Sequence, residues 1–244
     1  MRAFVTGDIH GRIEATRLGP STFPQGKRLT KQDYLIIAGD FGLPWSFTAE
    51  EMHWLDWLDQ RPWTTLFVDG NHENHATLAG LPVESWMGGR VHRVTDSVLH
   101  LMRGQVYDLD GTTLFTMGGA TSVDRFQRTE GVSWWPEELP SQAEYEEATR
   151  NLDAVGWKVD YVVTHCCASS IIPYIYPDGE VWQGPDALTD WLDTIEHRLM
   201  YKQWYFGHHH QDLVIEPDHR LIYSDIVRLG ELDDIDMSNP LMRR

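Results

Sequence analysis

Cysteine is nearly absent: among 244 residues only Cys166 and Cys167 occur, and they are adjacent. Neighbouring cysteines cannot close an ordinary disulfide loop, so a bridge-stapled secreted scaffold is excluded and a reducing compartment is expected. Thiolate pairs at zinc-finger spacing are missing too, which removes a structural zinc site built on sulfur. Positive charge is scarce, with 20 Lys and Arg against 37 Asp and Glu, a formal net charge of −17. A field of that sign repels anionic membranes and the phosphate backbone of long nucleic acids, which argues against a DNA-scanning protein. No uncharged apolar run is long enough to span a bilayer, and Met1 leads at once into a strand-like segment. The expectation is a cytoplasmic chain with no membrane partner. Low-complexity tracts, internal repeats and polar linkers are also lacking, so a single domain over residues 1–244 is expected.

What is present suits a large core. Hydrophobic residues make up 41% of the chain and aromatic residues 11%, enough at this length to fold without disulfides or partners. Short apolar runs at 3–5, 34–38, 65–68, 161–163, 204–206 and 221–223 read as strands buried on both faces. Helical patterns lie between several of them. Thr48 with Glu51, and Ser141 with Glu144, have the spacing of capping boxes, and a third helix carries Leu188, Trp191, Leu192, Ile195 and Leu199 on one stripe. Runs at 98–102, 106–109 and 113–117 predict successive strands, with Asp110-Gly111 turning a hairpin and a second hairpin at Pro217-Asp218. Mixed strands and helices of this kind predict a layered α/β fold.

Five polar clusters stand at or just past predicted strand ends: Gly7-Asp8-Ile9-His10-Gly11, Gly39-Asp40, Gly70-Asn71-His72-Glu73, His165, and Gly207-His208-His209-His210. In open α/β sheets the loops at the carboxyl ends of strands converge, so clusters distant in sequence can meet there. Their donors are carboxylate, imidazole and one amide, a set that suits divalent Mn, Fe, Zn or Mg-like ions. Asp8 and His10 are two apart, as are His208 and His210, which on extended backbone places each pair on one face. Asp40 has two oxygens and can bridge a pair of ions. Singly, each cluster has a structural reading: Gly-Asp is a common turn, and a lone histidine can be a satisfied core residue. Their order and placement together point to a shared metal site.

The series Asp-x-His, Gly-Asp, Gly-Asn-His-Glu, a later His and Gly-His-x-His resembles the calcineurin-like metallophosphoesterase superfamily, with motifs running from residue 7 to residue 210. The resemblance implies a four-layer αββα sandwich, two mixed sheets flanked by helices, around a binuclear metal centre. It implies that Asp8, His10 and His210 hold one ion, that Asn71, His165 and His208 hold the other, and that Asp40 bridges them. Manganese leads the expected ions, with Fe, Zn, Ni, Co and Mg as the others. His72 corresponds to the histidine near the leaving group, while His209 has no role to inherit. Two adjacent divalent ions lower the pKa of a shared water, and the hydroxide is expected to attack phosphorus directly while His72 protonates the leaving oxygen.

Departures narrow the substrate. The serine/threonine protein-phosphatase branch has Gly-Asp-x-x-Asp-Arg-Gly where this chain has residues 39–45, and an arginine where Asp69 precedes Gly70. Both phosphate-gripping arginines are gone, and so is the aspartate that would orient His72. Residues 118–128, which resemble a segment of a bacterial and phage-associated subgroup, supply Arg125 and Arg128 as candidate phosphate contacts, and Arg12 is a third. Tyr174, Tyr176 and Trp182 are candidates for roofing the site, with core packing as their alternative. Glu73 is read as a helix cap or a support behind the ligands, and Cys166 as a small buried residue. The expected activity is hydrolysis of phosphate mono- or diesters of a small molecule, with nucleotides in view. Protein phosphatase, short single-strand nuclease and a non-enzymatic interaction scaffold are the alternatives.

Overall fold

The computed structural model describes residues 1–179 and 184–231. Within them, two sheets pack face to face. The first is built from β1 (Ala3–Thr6), β2 (Tyr34–Ile37), β3 (Thr64–Phe67), β4 (Val83–Trp86), β5 (Gly89–Thr95) and β6 (Val98–Leu101). The second comprises β7 (Gln105–Leu109), β8 (Thr112–Met117), β9 (Tyr161–Thr164), β10 (Gln203–Phe206), β11 (Leu213–Ile215) and β12 (His219–Leu221), after which β13 (Ile226–Arg228) returns to the first. Strand order is β13-β1-β2-β3-β6-β5-β4 in one sheet and β11-β12-β10-β9-β8-β7 in the other. Parallel pairings hold the middle of each sheet, β1-β2-β3-β6 and β8-β9-β10-β12, while antiparallel strands close the edges.

Side-chain alternation decides the layers. Val5, Ile36, Leu66 and Leu99 of the first sheet meet Tyr107, Leu114, Val163 and Tyr205 of the second in a central core. Their neighbours Leu35, Ile37 and Phe67 point the other way, onto Leu55 and Leu58 of α1 (Ala49–Asp59). A short helix, α2 (His75–Ala79), follows β3. The outer face of the second sheet, with Phe115, Val162, Trp204 and Phe206, packs on Ala148 and Leu152 of α3 (Gln142–Ala154). After the short α4 (Ile172–Ile175), α5 (Ala187–Glu196) adds Leu188, Leu192 and Ile195 to the same layer. The result is the expected four-layer αββα sandwich of two mixed sheets flanked by helices.

Local expectations differ in instructive places. Ser141 and Glu144 form the full reciprocal capping box. Thr48 accepts from the Glu51 N–H, but the Glu51 carboxylate instead takes the N–H groups of Trp45, Ser46 and Phe47, each at 2.9 Å, because that turn offers three donors at once. α5 stops at Glu196, short of Leu199, and its box is closed by Asp186 and Thr189. The last predicted strand, 221–223, is displaced to β12, since Tyr223 to Asp225 turn out to meet the Asp212 carboxylate. The hairpin β4-β5 was not expected, because β4 is half exposed and lacks a continuous apolar run. No helix among the described residues is long and apolar enough to cross a membrane.

Candidate metal centre

The five polar clusters follow β1, β2, β3, β9 and β10, all members of the parallel blocks, so their carboxyl ends lie on one rim of the sandwich. Two contacts stitch the sheets together there. His165 Nδ1 donates to the Ala38 carbonyl at 2.8 Å, which aims Nε2 at the site, and the His208 N–H donates to Asp8 Oδ1 at 3.1 Å.

Asp40 sits in the middle. Its Oδ2 lies 3.4 Å from His10 Nε2, and its Oδ1 lies 3.3 Å from His165 Nε2 while accepting the His72 N–H at 2.7 Å. On one side, Asp8, His10, Asp40 and His210 bring four potential ligand atoms within 4.8 Å of one another. On the other, Asn71 Oδ1 is 3.2 Å from His165 Nε2, and the His165 and His208 rings meet edge to face at 4.9 Å. All seven predicted ligands are thus brought together. The packing leaves no room for a side chain at position 70: a Cβ on Gly70 would stand 2.1 Å from Asp40 Oδ1.

The backbone reaches this arrangement by a different route from strand alternation. His10, Asp40, His208 and His210 all have positive φ, between 46° and 70°. The i, i+2 pairs therefore converge through left-handed turns, not along extended segments. Asp and His tolerate that region better than most residues, yet four such positions in one rim mark a locally strained site.

A cation fits the donor set. Asp8 Oδ2 is buried and has no hydrogen-bond partner, although His210 Nε2 is 3.1 Å away. Burial penalises that oxygen unless a positive charge faces it. Burial disfavours charge on His165, but the Asp40 carboxylate beside it overrides this and pulls the imidazole up to about 10. His208 moves the opposite way, well below its usual range, through burial and the neighbouring His165. Burial likewise disfavours charge on His10, but Asp40 and Asp8 outweigh it and raise its pKa. The Asp40 carboxylate thus draws protons to the two rings beside it, a place that a divalent ion would take by replacing protons.

A second cluster joins Glu196 at the end of α5 to His219 at the start of β12 and to Asp218 just before it. There Glu196 faces Nε2 at 3.1 Å and Asp218 faces Nδ1 at 3.0 Å, so the two carboxylates meet different nitrogens of one ring.

The remaining candidates are placed unevenly. Among the described residues no carboxylate hydrogen-bonds to the His72 ring. Arg128 Nη2 instead lies 3.0 and 2.9 Å from its two nitrogens, and Asp124 holds the Arg128 Nε at 2.8 Å. Burial, with the Arg128 charge adding and Asp40 opposing, lowers the His72 pKa. Arg125 stacks on Trp134 at 4.3 Å, and exposed Arg12 pairs with Glu50 at 2.9 Å, so of the three arginines only Arg128 touches the centre. Glu73 caps nothing. It accepts the N–H groups of Phe41 and Gly42 at 2.7 and 3.0 Å, bracing the loop after Asp40, while Asn74 caps α2. Tyr176 donates toward His209 Nδ1 at 3.0 Å, Tyr174 is exposed, and Trp182 lies outside the described residues. Cys166 and Cys167 are buried and unbridged.

Sequence reasoning missed Tyr223, whose ring stacks on His210 at 4.6 Å, and Arg17, which donates to the Asp8 carbonyl at 2.7 Å. It also missed the buried set behind the site, where Asp69 binds Arg103 at 2.6 Å and His100 at 3.1 Å. A cavity of about 390 Å³ opens over the centre, lined by Asp40, Asn71, His72, Val123, Asp124 and the three consecutive histidines.

No curated protein matches the chain. A family model described as calcineurin-like phosphoesterase matches residues 1–212.

Proposed function

The chain belongs to the calcineurin-like phosphoesterase family, metal-dependent hydrolases of phosphoesters, and from that premise we propose that it cleaves phosphate esters of a small molecule, nucleotides foremost, at a two-ion centre. Asp8, His10 and His210 would hold one ion, Asn71, His165 and His208 the other, with Asp40 shared and manganese the leading metal. The single observation that supports this reading most is Asp40, whose two oxygens face His10 and His165 in two adjoining donor sets. When bound, the ions supply Lewis acidity to phosphoryl oxygens and activate water.

The protein's own groups divide the remaining work. The cavity, within the usual size of small-ligand sites, admits a phosphorylated small molecule more readily than a protein surface. The net charge of −17 disfavours long polyanions. An incoming phosphate attracts the Arg128 guanidinium away from the His72 ring. The same negative charge favours protonated His72, which then gives its proton to the leaving oxygen.

Phosphate release from p-nitrophenyl phosphate and product release from its bis-ester, each with and without Mn, test the reading and separate monoester from diester chemistry. Activity on either ester that requires added metal and is lost in Asp40→Ala is expected. Equal turnover by wild type and Asp40→Ala overturns it.

A further inference from the structure

The segment after β8 touches the centre at a point that phosphate binding does not explain. Asn71 Nδ2 donates to Ser122 Oγ at 3.2 Å, and Ser122 Oγ in turn donates to Glu138 Oε2 at 2.6 Å. The other Glu138 oxygen accepts the Ser122 N–H at 2.9 Å. Ser122 and Glu138 are both buried, and Glu138 ends the turn that follows Trp134-Trp135. Asn71 itself leaves its Oδ1 facing His165 Nε2.

A side-chain amide is nearly symmetrical in shape, so something must decide whether its oxygen or its NH₂ faces a cation. Only the oxygen can be a ligand. A serine hydroxyl could satisfy either orientation, because it donates and accepts. Glu138 removes that freedom. Its carboxylate takes the single hydroxyl proton, which leaves Ser122 Oγ toward Asn71 as an acceptor and demands the NH₂ there.

The spacing of this chain is fixed from behind. Buried Arg103 donates to Asp69 Oδ2 at 2.9 and 2.6 Å and to the Glu137 and Glu138 carbonyls at 2.7 and 3.3 Å. One guanidinium thereby ties the side chain of Asp69, two residues before Asn71, to the backbone that carries Glu138. The connection is tight: a Cβ on Gly119, whose φ is +98°, would stand 2.5 Å from the Glu138 carbonyl.

We propose that Glu138 is a positioning residue for the metal centre, acting through Ser122 to hold the Asn71 amide with Oδ1 toward the ion and NH₂ away from it. This rests on the two-ion reading above. It assigns to the 118–138 segment a role in metal binding that is separate from any contact Arg125 or Arg128 makes with substrate.

Glu138→Gln tests it because size is kept while the hydrogen-bond polarity reverses. The new amide can keep its oxygen on the Ser122 N–H and place its NH₂ on Ser122 Oγ, so the serine proton turns toward Asn71 and favours the flipped amide. Manganese titration by calorimetry, with unfolding of the metal-free chain as a check on folding, is the measurement. Two equivalents are expected for wild type. One of the two should weaken by about 10- to 100-fold in Glu138→Gln, the usual loss when an outer-shell partner of a ligand is removed. Ser122→Ala should give a loss of similar size, and the double variant should be no worse than Ser122→Ala alone, because both changes act through one hydroxyl. Wild-type affinity for both ions in Ser122→Ala, or fully additive losses in the double variant, overturns the inference while leaving the two-ion reading intact. Fewer than two ions on wild type overturns both. Should Glu138→Gln fail to fold, Ser122→Ala alone decides between the same two results.

Discussion

Asp33 and Asp160, at the amino ends of parallel strands, are used differently from Asp8 and Asp40, at the carboxyl ends. At the amino ends the oxygens are saturated. Asp33, before β2, accepts from the Arg2 N–H and guanidinium and from the Thr30 N–H and hydroxyl. Asp160, before β9, accepts from the N–H and hydroxyl of Thr113 and pairs with Lys202. At the carboxyl ends one carboxylate, Asp69, is likewise saturated by Arg103 and His100. Asp8, however, keeps a buried oxygen that no hydrogen bond reaches, with only His210 Nε2 at 3.1 Å, and Asp40 faces histidine nitrogens on both sides. A saturated carboxylate fixes strands and has nothing left to bind. An unsaturated one among imidazoles costs stability until a cation arrives. On the two-ion reading proposed above, that difference, more than burial or residue type, separates staple from ligand in this molecule.

The comparison breaks most visibly at Asp40. Asp40→Ala should lower phosphoester turnover by more than about 100-fold, above the loss of an outer-shell partner, without lowering the melting temperature of the metal-free chain. Phosphate release and calorimetry in chelator check the two halves; a variant that melts early yet turns over normally would make Asp40 a staple. His72→Ala should reduce kcat by about 10²- to 10⁴-fold for alkyl esters, the usual worth of a general acid. The loss should be smaller for p-nitrophenyl esters, whose leaving group needs no proton, and the ratio of the two kcat values measures the effect.

The amino-end prediction is the mirror image. Asp33→Asn should cost about 1–3 kcal/mol of unfolding free energy in urea with kcat unchanged. Burial opposes the Asp33 charge, but the Arg2 and Thr30 contacts outweigh it and hold the carboxyl at about 2, below its usual 3.8. With the folded value depressed, the stabilisation is fully present above the unfolded value and is lost as pH falls through the folded one. The gap between wild type and Asp33→Asn should therefore close between pH 3.8 and about pH 2. The smallest effect belongs to Arg12→Ala. An exposed pair with Glu50 contributes about 0–1 kcal/mol, so unfolding and KM should both stay near wild type, whereas Arg128→Ala should raise KM.

The same contrast explains what could be read in the chain. The candidate ligands stand out because each is a distinctive residue a few positions past an apolar run, as in Asp8 after β1 and His165 after β9. The buried strands were legible for a related reason, since two-sided burial leaves continuous runs such as 34–38, whereas the two-sheet sandwich followed only from the family resemblance. The supports were not legible. Ser122 and Glu138 reach Asn71 from 51 and 67 positions away, Tyr223 reaches His210 through a ring face, and Arg103 meets Asp69 across two strands. None of these residues has a local pattern, since an ordinary serine, tyrosine or arginine gains meaning only from what the fold sets beside it. The pairs Asp8/His10 and His208/His210 were expected to share a face along extended backbone, whereas His10, His208 and His210 are in left-handed turns, which do not show in residue spacing.

Anomalous diffraction at the manganese edge from crystals grown with Mn tests the central claim most directly. Two peaks flanking the Asp40 carboxylate are predicted, one against Asp8, His10 and His210 and one against Asn71, His165 and His208. A single peak, or density that leaves Asp40 untouched at saturating Mn, would contradict it.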